Sequence, residues 1–529
     1  MRLVPGGKFH LDNVFQFPAY YPSLAIFKHL QPDYELDLDE VESEVKACRE
    51  PYPDHGTVMF DHQAVAFNFI HCKRSSLIAD APGVGKTLPA ILSIPEGGSS
   101  LVLAPASLLS AAWLAQIEQF RPELSAIIVR GNRKQREKLL DTPADVHIIS
   151  YESARTHSAI KHYGSTKLSN KDKTEGPLNQ FWDLIILDEA HRIKNPKSKT
   201  ARMCWKLAEN CDKRVALTGT PISNSPIDIW SILRFLDPDI WTSRTRFIDL
   251  FLEVHLEKVG TMQFQRIGGV HPPMQKLFDK LINFYMLRRT LEEIADPPKV
   301  IHQTRYAPML SRQRSQYRVL KKDSQIWTDD NKDYIIDAEP LTKSMRLHQI
   351  AQAAVHLEQD DLADQGYVIK MTGDSGKIQV LKDTLKDIPD DEQIVIYTQS
   401  RQLARHALAA VKDATIIDGH TKHKDRENNL SKFIAGDNRY LIATLGALSE
   451  GVTLNNAATL IFLQRSFSFV HSVQAEARIR RINSETDTVR IIDIITEGTI
   501  DELPLKAITD KTGMFKEIIE DPRLRLEHS

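Results

Sequence analysis

The chain has 529 residues, 42% hydrophobic and 26% charged, with a formal net charge of −2. That length allows about two to four globular domains with sizeable cores, and near-neutrality excludes a protein that coats nucleic acid with its whole surface, leaving such contacts to local basic patches. Cys48, Cys72, Cys204 and Cys211 show no CxxC spacing, so no zinc site, metal cluster or disulfide framework is expected and a reducing compartment fits.

The amino terminus "MRLVPGGKFHLDN" lacks an apolar signal core. No later run approaches the ~20 apolar residues of a membrane span, so a soluble intracellular protein is expected, cytoplasmic or nucleoid-associated, with no membrane partner. Residues 1–55 carry "FPAYYPS", the acidic run "DYELDLDEVESE" and "EPYPD", and read as a small appended module of unassigned role. From Leu77 onward one rhythm repeats: a short apolar run, a turn, then a helical pattern, as in parallel sheets covered by helices. "SLIAD", "SLVLAPA", "VHIISY", "DLIILDEA" and "RVALTGT" are the strands of a first α/β lobe, 56–235. The β pattern then lapses over 236–372 into charged, helix-leaning sequence broken by "HPP" and "DPPK", which predicts helical protrusions and a linker. A second strand series, "QIVIYTQ", "ATIIDG", "RYLIAT", "ATLIFLQ" and "TVRIIDIIT", defines a second lobe, 373–500. Within it, "RQLARHALAAVK" puts Leu403, Ala407 and Val411 on one helical face. In "VQAEARIRRIN" (Val473–Asn483), helical spacing places Gln474, Arg478 and Arg481 on one face beside an apolar stripe of Val470, Val473 and Ala477. Residues 501–529 read as a helical tail.

Two segments carry chemistry. "LIADAPGVGKT", Leu77–Thr87, follows a strand and precedes a helix. In that setting Gly83 and Gly85 let backbone N–H groups face phosphate oxygens, Lys86 reaches the β- and γ-phosphates of ATP, and Thr87 can hold Mg²⁺. The strict GxxxxGK[ST] pattern would have glycine where Asp80 stands. The second segment, "DLIILDEAHRIKN", ends a buried strand in an acidic pair. There Asp188 would bind Mg²⁺ and Glu189 would polarise the attacking water, since phosphoryl transfer is mainly positioning and charge stabilisation.

"DEAHRIKN", "LTGTPISN" (Leu217–Asn224) and "FYMLRRTLEEIADPPK" together resemble the Swi/Snf-type, helicase-like ATPases of helicase superfamily two, over about residues 56–503. "FDHQ", "LVLAPASLL", "DIWSILRFL", "SGKIQVL", "IDGHTKHKDREN" and "GTIDE" fall in the family's order. The resemblance implies an α/β protein of two RecA-like parallel-sheet lobes with helical insertions, ATP between the lobes and duplex DNA across them. It implies that Gln63 recognises adenine, that His191, Thr218 and Thr220 relay the nucleotide state, and that Arg478 and Arg481 are the nucleotide-facing residues of a motif similar to QAxxRxxRxxQ, whose Gln474 also binds the nucleotide. Arg480 stands where the family usually has histidine, Asn483 and Ser484 replace Gly-Gln, and "RSFSF" replaces Trp-Asn-Pro. "EGVTLNNA" (Glu450–Ala457) looks closer to the GLTxxxA form of the annealing and fork-remodelling branch.

For DNA, Arg314, Arg318, Lys321 and Lys322 share a helical face, and "RGNRKQREK" is a second basic cluster. No base-reading motif stands out, so sequence specificity is not expected. The resulting expectation is an ATP-dependent translocase, a monomer, on double-stranded or branched DNA. The alternatives are a fork-remodelling or branch-migrating helicase of DNA repair or recombination, and, from another class, a catalytically idle DNA-bound scaffold. The intact Lys86, Asp188, Glu189, Arg478 and Arg481 argue against the scaffold.

Overall fold

The computed structural model describes residues 8–9, 15–16, 21–30, 46–52, 59–157, 177–259, 262–323, 325–327, 334–336, 340–359, 367–448, 452, 454–481, 484 and 486–509. Most of the expected amino-terminal module, residues 510–529 of the expected tail, and Glu450, Gly451, Thr453 and Asn483 of the second-lobe motifs lie outside them. The described residues fall into two compact units, one of those up to Ala295 and the other of those from Asp296 onward.

The first unit is built on a seven-stranded sheet in the order Met286–Leu287, Ser75–Ile78, Cys211–Leu217, Trp182–Asp188, Ser100–Ala104, Val146–Ser150, Ala126–Val129. Every pairing in it is parallel. A parallel sheet is covered on both faces, so its central strands are apolar throughout rather than alternating; Leu101 to Ala104 and Leu184 to Leu187 are accordingly buried along their whole length. Side-chain caps start the helices, as where Ser198 accepts from the Ala201 N–H ahead of Lys199–Glu209. The second unit repeats the plan with six parallel strands, in the order Lys299–Ala307, Thr488–Thr496, Ala457–Phe462, Gln393–Thr398, Tyr440–Thr444, Ala414–Ile417. Its helix Arg401–Ala410 is capped by Ser400 and buries Leu403 and Ala407 as expected, but ends before Val411, whose backbone is extended, so Val411 does not share that helical face. Both units are therefore RecA-like α/β lobes.

The stretch 236–372 is less helical than its composition predicts. It does contain the helices Arg244–Phe251, Gln275–Tyr285, Ser311–Asp323 and Pro340–Gln352. It also contains an antiparallel hairpin, Leu252–Val259 with Met262–Val270, and supplies an edge strand to each sheet, Met286–Leu287 and Lys299–Ala307. An edge strand is open on one side and needs no apolar run; most of "KVIHQTRYA" is exposed, so its strand character does not show in hydropathy. At the other end, Asp501, assigned by sequence to the tail, is 5% exposed and built into the second unit. Among the described residues no helix is long and apolar enough to cross a membrane.

Candidate functional site

In the first unit the phosphate loop leaves the carboxyl end of Ser75–Ile78, and Asp188 stands at the carboxyl end of Trp182–Asp188, with Cys211–Leu217 between the two strands. The carboxyl edge of an open parallel sheet is where ligands bind in such folds. Gly83 and Gly85 hold φ of 85° and 80°, the left-handed backbone that turns N–H groups inward and that other residues adopt only with strain. Gly85 is required on a second count, since a Cβ there would lie 2.5 Å from Gln63 Nε2. Lys86 Nζ donates to the carbonyls of Asp80 (2.9 Å) and Ala81 (3.0 Å). Burial lowers its pKa, while the charges of Glu189, Asp80 and Asp188 oppose that shift. Thr87 then opens the helix Thr87–Leu92, with Pro89 inside its first turn.

Gln63 is 6% exposed, and its amide is committed to the loop. Oε1 accepts from the Phe60 N–H at 3.1 Å, and Nε2 donates to the Gly85 carbonyl at 3.2 Å. It thus braces the phosphate loop, and the neighbouring His62 touches the Val84 carbonyl at 2.9 Å. The ring of Phe60 stacks on His62, 9° from parallel, and stays 60% exposed.

Asp188 is fixed from three sides. Trp113 Nε1 donates to Oδ2 at 2.9 Å, the Glu189 N–H to Oδ1 at 2.9 Å, and the Tyr151 hydroxyl to the Asp188 carbonyl at 2.7 Å. Trp113 is fully buried and is aimed by a π-helical stretch, Leu109–Leu114, of the kind that recurs at functional sites. Burial and then the adjacent Glu189 charge push the Asp188 carboxyl up to about 7. A divalent cation here would relieve that like-charge contact, and one carboxylate with a threonine hydroxyl and substrate phosphates is a donor set that suits Mg²⁺. Glu189 has φ 51° and ψ 50°, a left-handed conformation rare for a side-chain-bearing residue and a form of strain that collects at functional sites. Burial alone would raise its pKa, but the hydrogen bond and charge of His191, with Lys86 and Arg192, bring it below the usual carboxylate range.

His191 Nδ1 lies 3.1 Å from Glu189 Oε2 and 3.2 Å from Thr218 Oγ1, and Thr218 Oγ1 accepts from the Thr220 N–H at 3.2 Å. A Cβ at Gly219 would come within 2.6 Å of Pro82 Cγ, so this turn lies directly against the phosphate loop. The sequence-predicted residues Gln63, Gly83, Gly85, Lys86, Thr87, Asp188, Glu189, His191, Thr218 and Thr220 all belong to this one unit; Gln63 stands on the helix Asp61–Cys72 and reaches the phosphate loop through its amide, and the others lie at or just beyond the carboxyl ends of the strands.

Asp80, in the place of the pattern's glycine, is 1% exposed and pairs with an arginine from far along the chain. Arg289 donates from Nη2 to Oδ2 (2.5 Å) and from Nε to Oδ1 (3.1 Å), and Nη2 also reaches the His62 carbonyl (2.8 Å). Arg288 Nη1 donates to the carbonyls of Ala79 (2.5 Å) and Gly219 (3.3 Å). Sequence reading used these arginines only as part of a family motif. The available signal was the loop itself: a carboxylate in a phosphate loop needs a cation.

In the second unit the helix beginning at Phe469 stops at Glu476, so the expected common face of Gln474, Arg478 and Arg481 does not form. Tertiary contacts end it, overriding a helical pattern. The Arg478 carbonyl accepts from the Leu454 N–H (3.0 Å), and its guanidinium, 6% exposed, donates to the Tyr397 hydroxyl (2.9 Å) and the Leu448 carbonyl (3.3 Å). Arg481 is half-buried, donating to the carbonyls of Ala477 (3.2 Å) and Val452 (3.3 Å); burial and then the nearby Arg478 charge lower its pKa. Beneath the sheet, Lys377 Nζ meets Asp501 Oδ2 at 2.5 Å and donates to the Leu463 carbonyl at 2.7 Å. This joins two segments that sequence analysis treated separately, "SGK" and "GTIDE". Arg314, Arg318, Lys321 and Lys322 are exposed on the helix Ser311–Asp323, whose opposite face buries Gln313, Tyr317 and Leu320.

Residues 39–356 match the family model described as SNF2-related domain, and residues 376–483 the one described as Helicase conserved C-terminal domain. The ISWI chromatin-remodeling complex ATPase ISW1 of Saccharomyces cerevisiae is 27% identical over 488 residues, 86% of this chain and 40% of its own length. The ATP-dependent helicase fft1 of Schizosaccharomyces pombe is 25% identical over 514 residues, 84% of this chain and 51% of its own. The chain thus spans about half the length of these curated relatives, or less. Among solved structures, the Sulfolobus solfataricus SWI2/SNF2 ATPase core in complex with dsDNA is 22% identical, with a TM-score of 0.37 over 90% of this chain and 95% of that one.

Proposed function

Because the chain belongs to the SNF2-related domain family, we propose that it is a DNA-dependent ATPase that uses ATP to translocate on duplex or branched DNA. The observation that carries the reading is the carboxyl edge of the first sheet, where Lys86 feels the charges of Glu189, Asp80 and Asp188 and the turn at Gly219 rests on the phosphate loop.

In this reading the loop N–H groups and Lys86 hold the β- and γ-phosphates. Thr87 and Asp188 would hold Mg²⁺, which supplies further neutralisation of phosphate charge. Glu189, kept ionised by His191 and Lys86 against the pull of burial, orients the attacking water. Thr218 and His191 link that carboxylate to the turn against the loop, which gives the site a route for reporting its occupancy. Arg478 and Arg481 are the second unit's contribution to the same nucleotide, and the exposed basic face of Ser311–Asp323 meets DNA phosphates.

The finer reading, an enzyme that reanneals or regresses forked DNA, is favoured by the "GVTLNNA" sequence, similar to the annealing and fork-remodelling branch. ATPase rates measured in parallel without nucleic acid and with single strands, blunt duplex, a fork and a four-way junction test both readings. Duplex stimulation with displacement of a third strand from a triplex is the expected result, and a junction preference selects the finer one. Stimulation by single strands alone, with none by duplex, would replace the translocase with a strand-tracking helicase.

A further inference from the structure

We infer that Arg289 and Asp80 form a clamp that positions Lys86, so that the affinity of the site for ATP is set partly by a residue outside every element that touches the nucleotide; this rests on the ATPase reading above. The two residues are 209 positions apart, and both carboxylate oxygens of Asp80 are engaged by the arginine fork. The path to Lys86 is short. Its Nζ donates to the main-chain carbonyl of the same Asp80, at 2.9 Å, so the guanidinium that fixes the Asp80 side chain also fixes the lysine's resting point. Backbone pairing continues alongside: the Ala79 N–H donates to the Leu287 carbonyl (2.7 Å) and the Ala81 N–H to the Arg289 carbonyl (3.0 Å). The start of the phosphate loop is thereby held as one more rung of the sheet. Arg289 also takes the His62 carbonyl, next to Gln63, which braces the loop from its other side at Gly85.

A bidentate guanidinium–carboxylate pair fixes direction as well as distance. Glycine at position 80 would satisfy the strict phosphate-loop pattern and remove this constraint. The clamp also sits close to the chain's passage out of the first unit, since Arg289 precedes the boundary at Asp296 by only a few residues.

The test uses the full chain with saturating duplex DNA, and compares Arg289→Ala, Arg289→Lys, Asp80→Asn and Asp80→Gly with the parent and with Lys86→Ala. Turnover against ATP concentration, equilibrium binding of Mg·ATP and melting of the unliganded chain are measured for each. The clamp requires KM and Kd for ATP to rise about ten- to a hundredfold in Arg289→Ala and Asp80→Asn, more than kcat falls, as for loss of groups that support a site from behind. Arg289→Lys, which keeps the charge and loses the fork, should fall between parent and Arg289→Ala. Asp80→Gly should bind no better than Asp80→Asn although it perfects the motif. A purely structural pair would lower the melting temperature and leave KM of the folded chain unchanged.

If Arg289→Ala does not fold, Arg289→Lys and Asp80→Asn decide alone. KM within roughly twofold of the parent in those two, or tighter ATP binding by Asp80→Gly, overturns the clamp while Lys86→Ala stays inactive. Parent-like turnover by Lys86→Ala would instead bring down the ATPase reading, and the clamp with it.

Discussion

In the first unit, Lys86 rests on two carbonyls of its own loop and Glu189 leans on His191 at a strand end, so these groups lie where the backbone places them. In the second unit, Arg478 is 6% exposed, with its fork on the Tyr397 hydroxyl and the Leu448 carbonyl, and Arg481 is bonded to Ala477 and Val452. One site is built from short contiguous segments and stands assembled. The other holds both cations in its own packing, so in the proposed hydrolysis each would have to exchange protein partners for phosphate oxygens. Under the proposed function that difference would separate their roles, the first unit binding and the second contributing mainly in the transition state.

The largest effects should come from the assembled side. Lys86→Ala and Glu189→Gln should each lower DNA-stimulated hydrolysis by on the order of 10³-fold or more, the scale of losing a main charge-stabilising or water-orienting group. Their binding should diverge, with Glu189→Gln retaining ATP on a filter and Lys86→Ala losing it. Parent-like turnover in either variant would break the comparison at its firmer end.

On the stored side, Arg481→Ala should cost about 10³-fold in kcat, the lower end for an arginine acting on a transferring phosphoryl group. Hydrolysis that returns to the parent rate once DNA is saturating would mean that this arginine serves DNA instead.

A third substitution separates packing from chemistry. Lys377→Met leaves Asp501 buried without its cation and should destabilise the second unit by about 3–5 kcal/mol, the usual cost of breaking one half of a buried pair. Loss of amide-exchange protection in the helix Gly376–Lys386, with the first unit's protection unchanged, is the expected pattern. Uniform loss across both sheets would show that the units do not melt separately.

The smallest effect on turnover belongs to Arg314→Ala combined with Arg318→Ala. Maximal kcat should be spared, while the slope of log affinity for DNA against log salt falls by about 2, one for each phosphate contact removed. An unchanged slope would leave that helix face merely solvated.

What could be read from sequence follows the same division. The phosphate loop and the Asp188–Glu189 pair were legible because their geometry is local: a strand, a turn and a helix start, each marked by residue types with few other uses. Gln63 was legible as a position, but its engagement with Phe60 and Gly85 was not. The helix through "QAEARIRRIN" was overextended because periodicity sees only neighbours in sequence, whereas Tyr397 and Leu454 decide where Arg478 goes. Arg289 escaped for the same reason, as did the edge strands Met286–Leu287 and Lys299–Ala307, whose partners are distant; the first is only two buried residues long, and the exposure of the second hides the alternation that would reveal it.

Those edge strands also bear on how the protein is made. Among the described residues, Lys299–Ala307 is the first strand of the second unit to leave a ribosome, and it pairs with Thr488–Thr496, the last, in register from Lys299–Thr488 to Ala307–Thr496. At about 5–20 residues per second, the early strand waits on the order of ten seconds or more with its hydrogen-bonding edge unpaired. The polar and charged residues that hide it from hydropathy, among them His302, Gln303, Thr304 and Arg305, are the kind that discourage an unpaired edge from joining a stranger. Replacing them with apolar β-formers would leave the finished sheet intact and penalise the chain during synthesis, as lower soluble yield that slower induction partly restores.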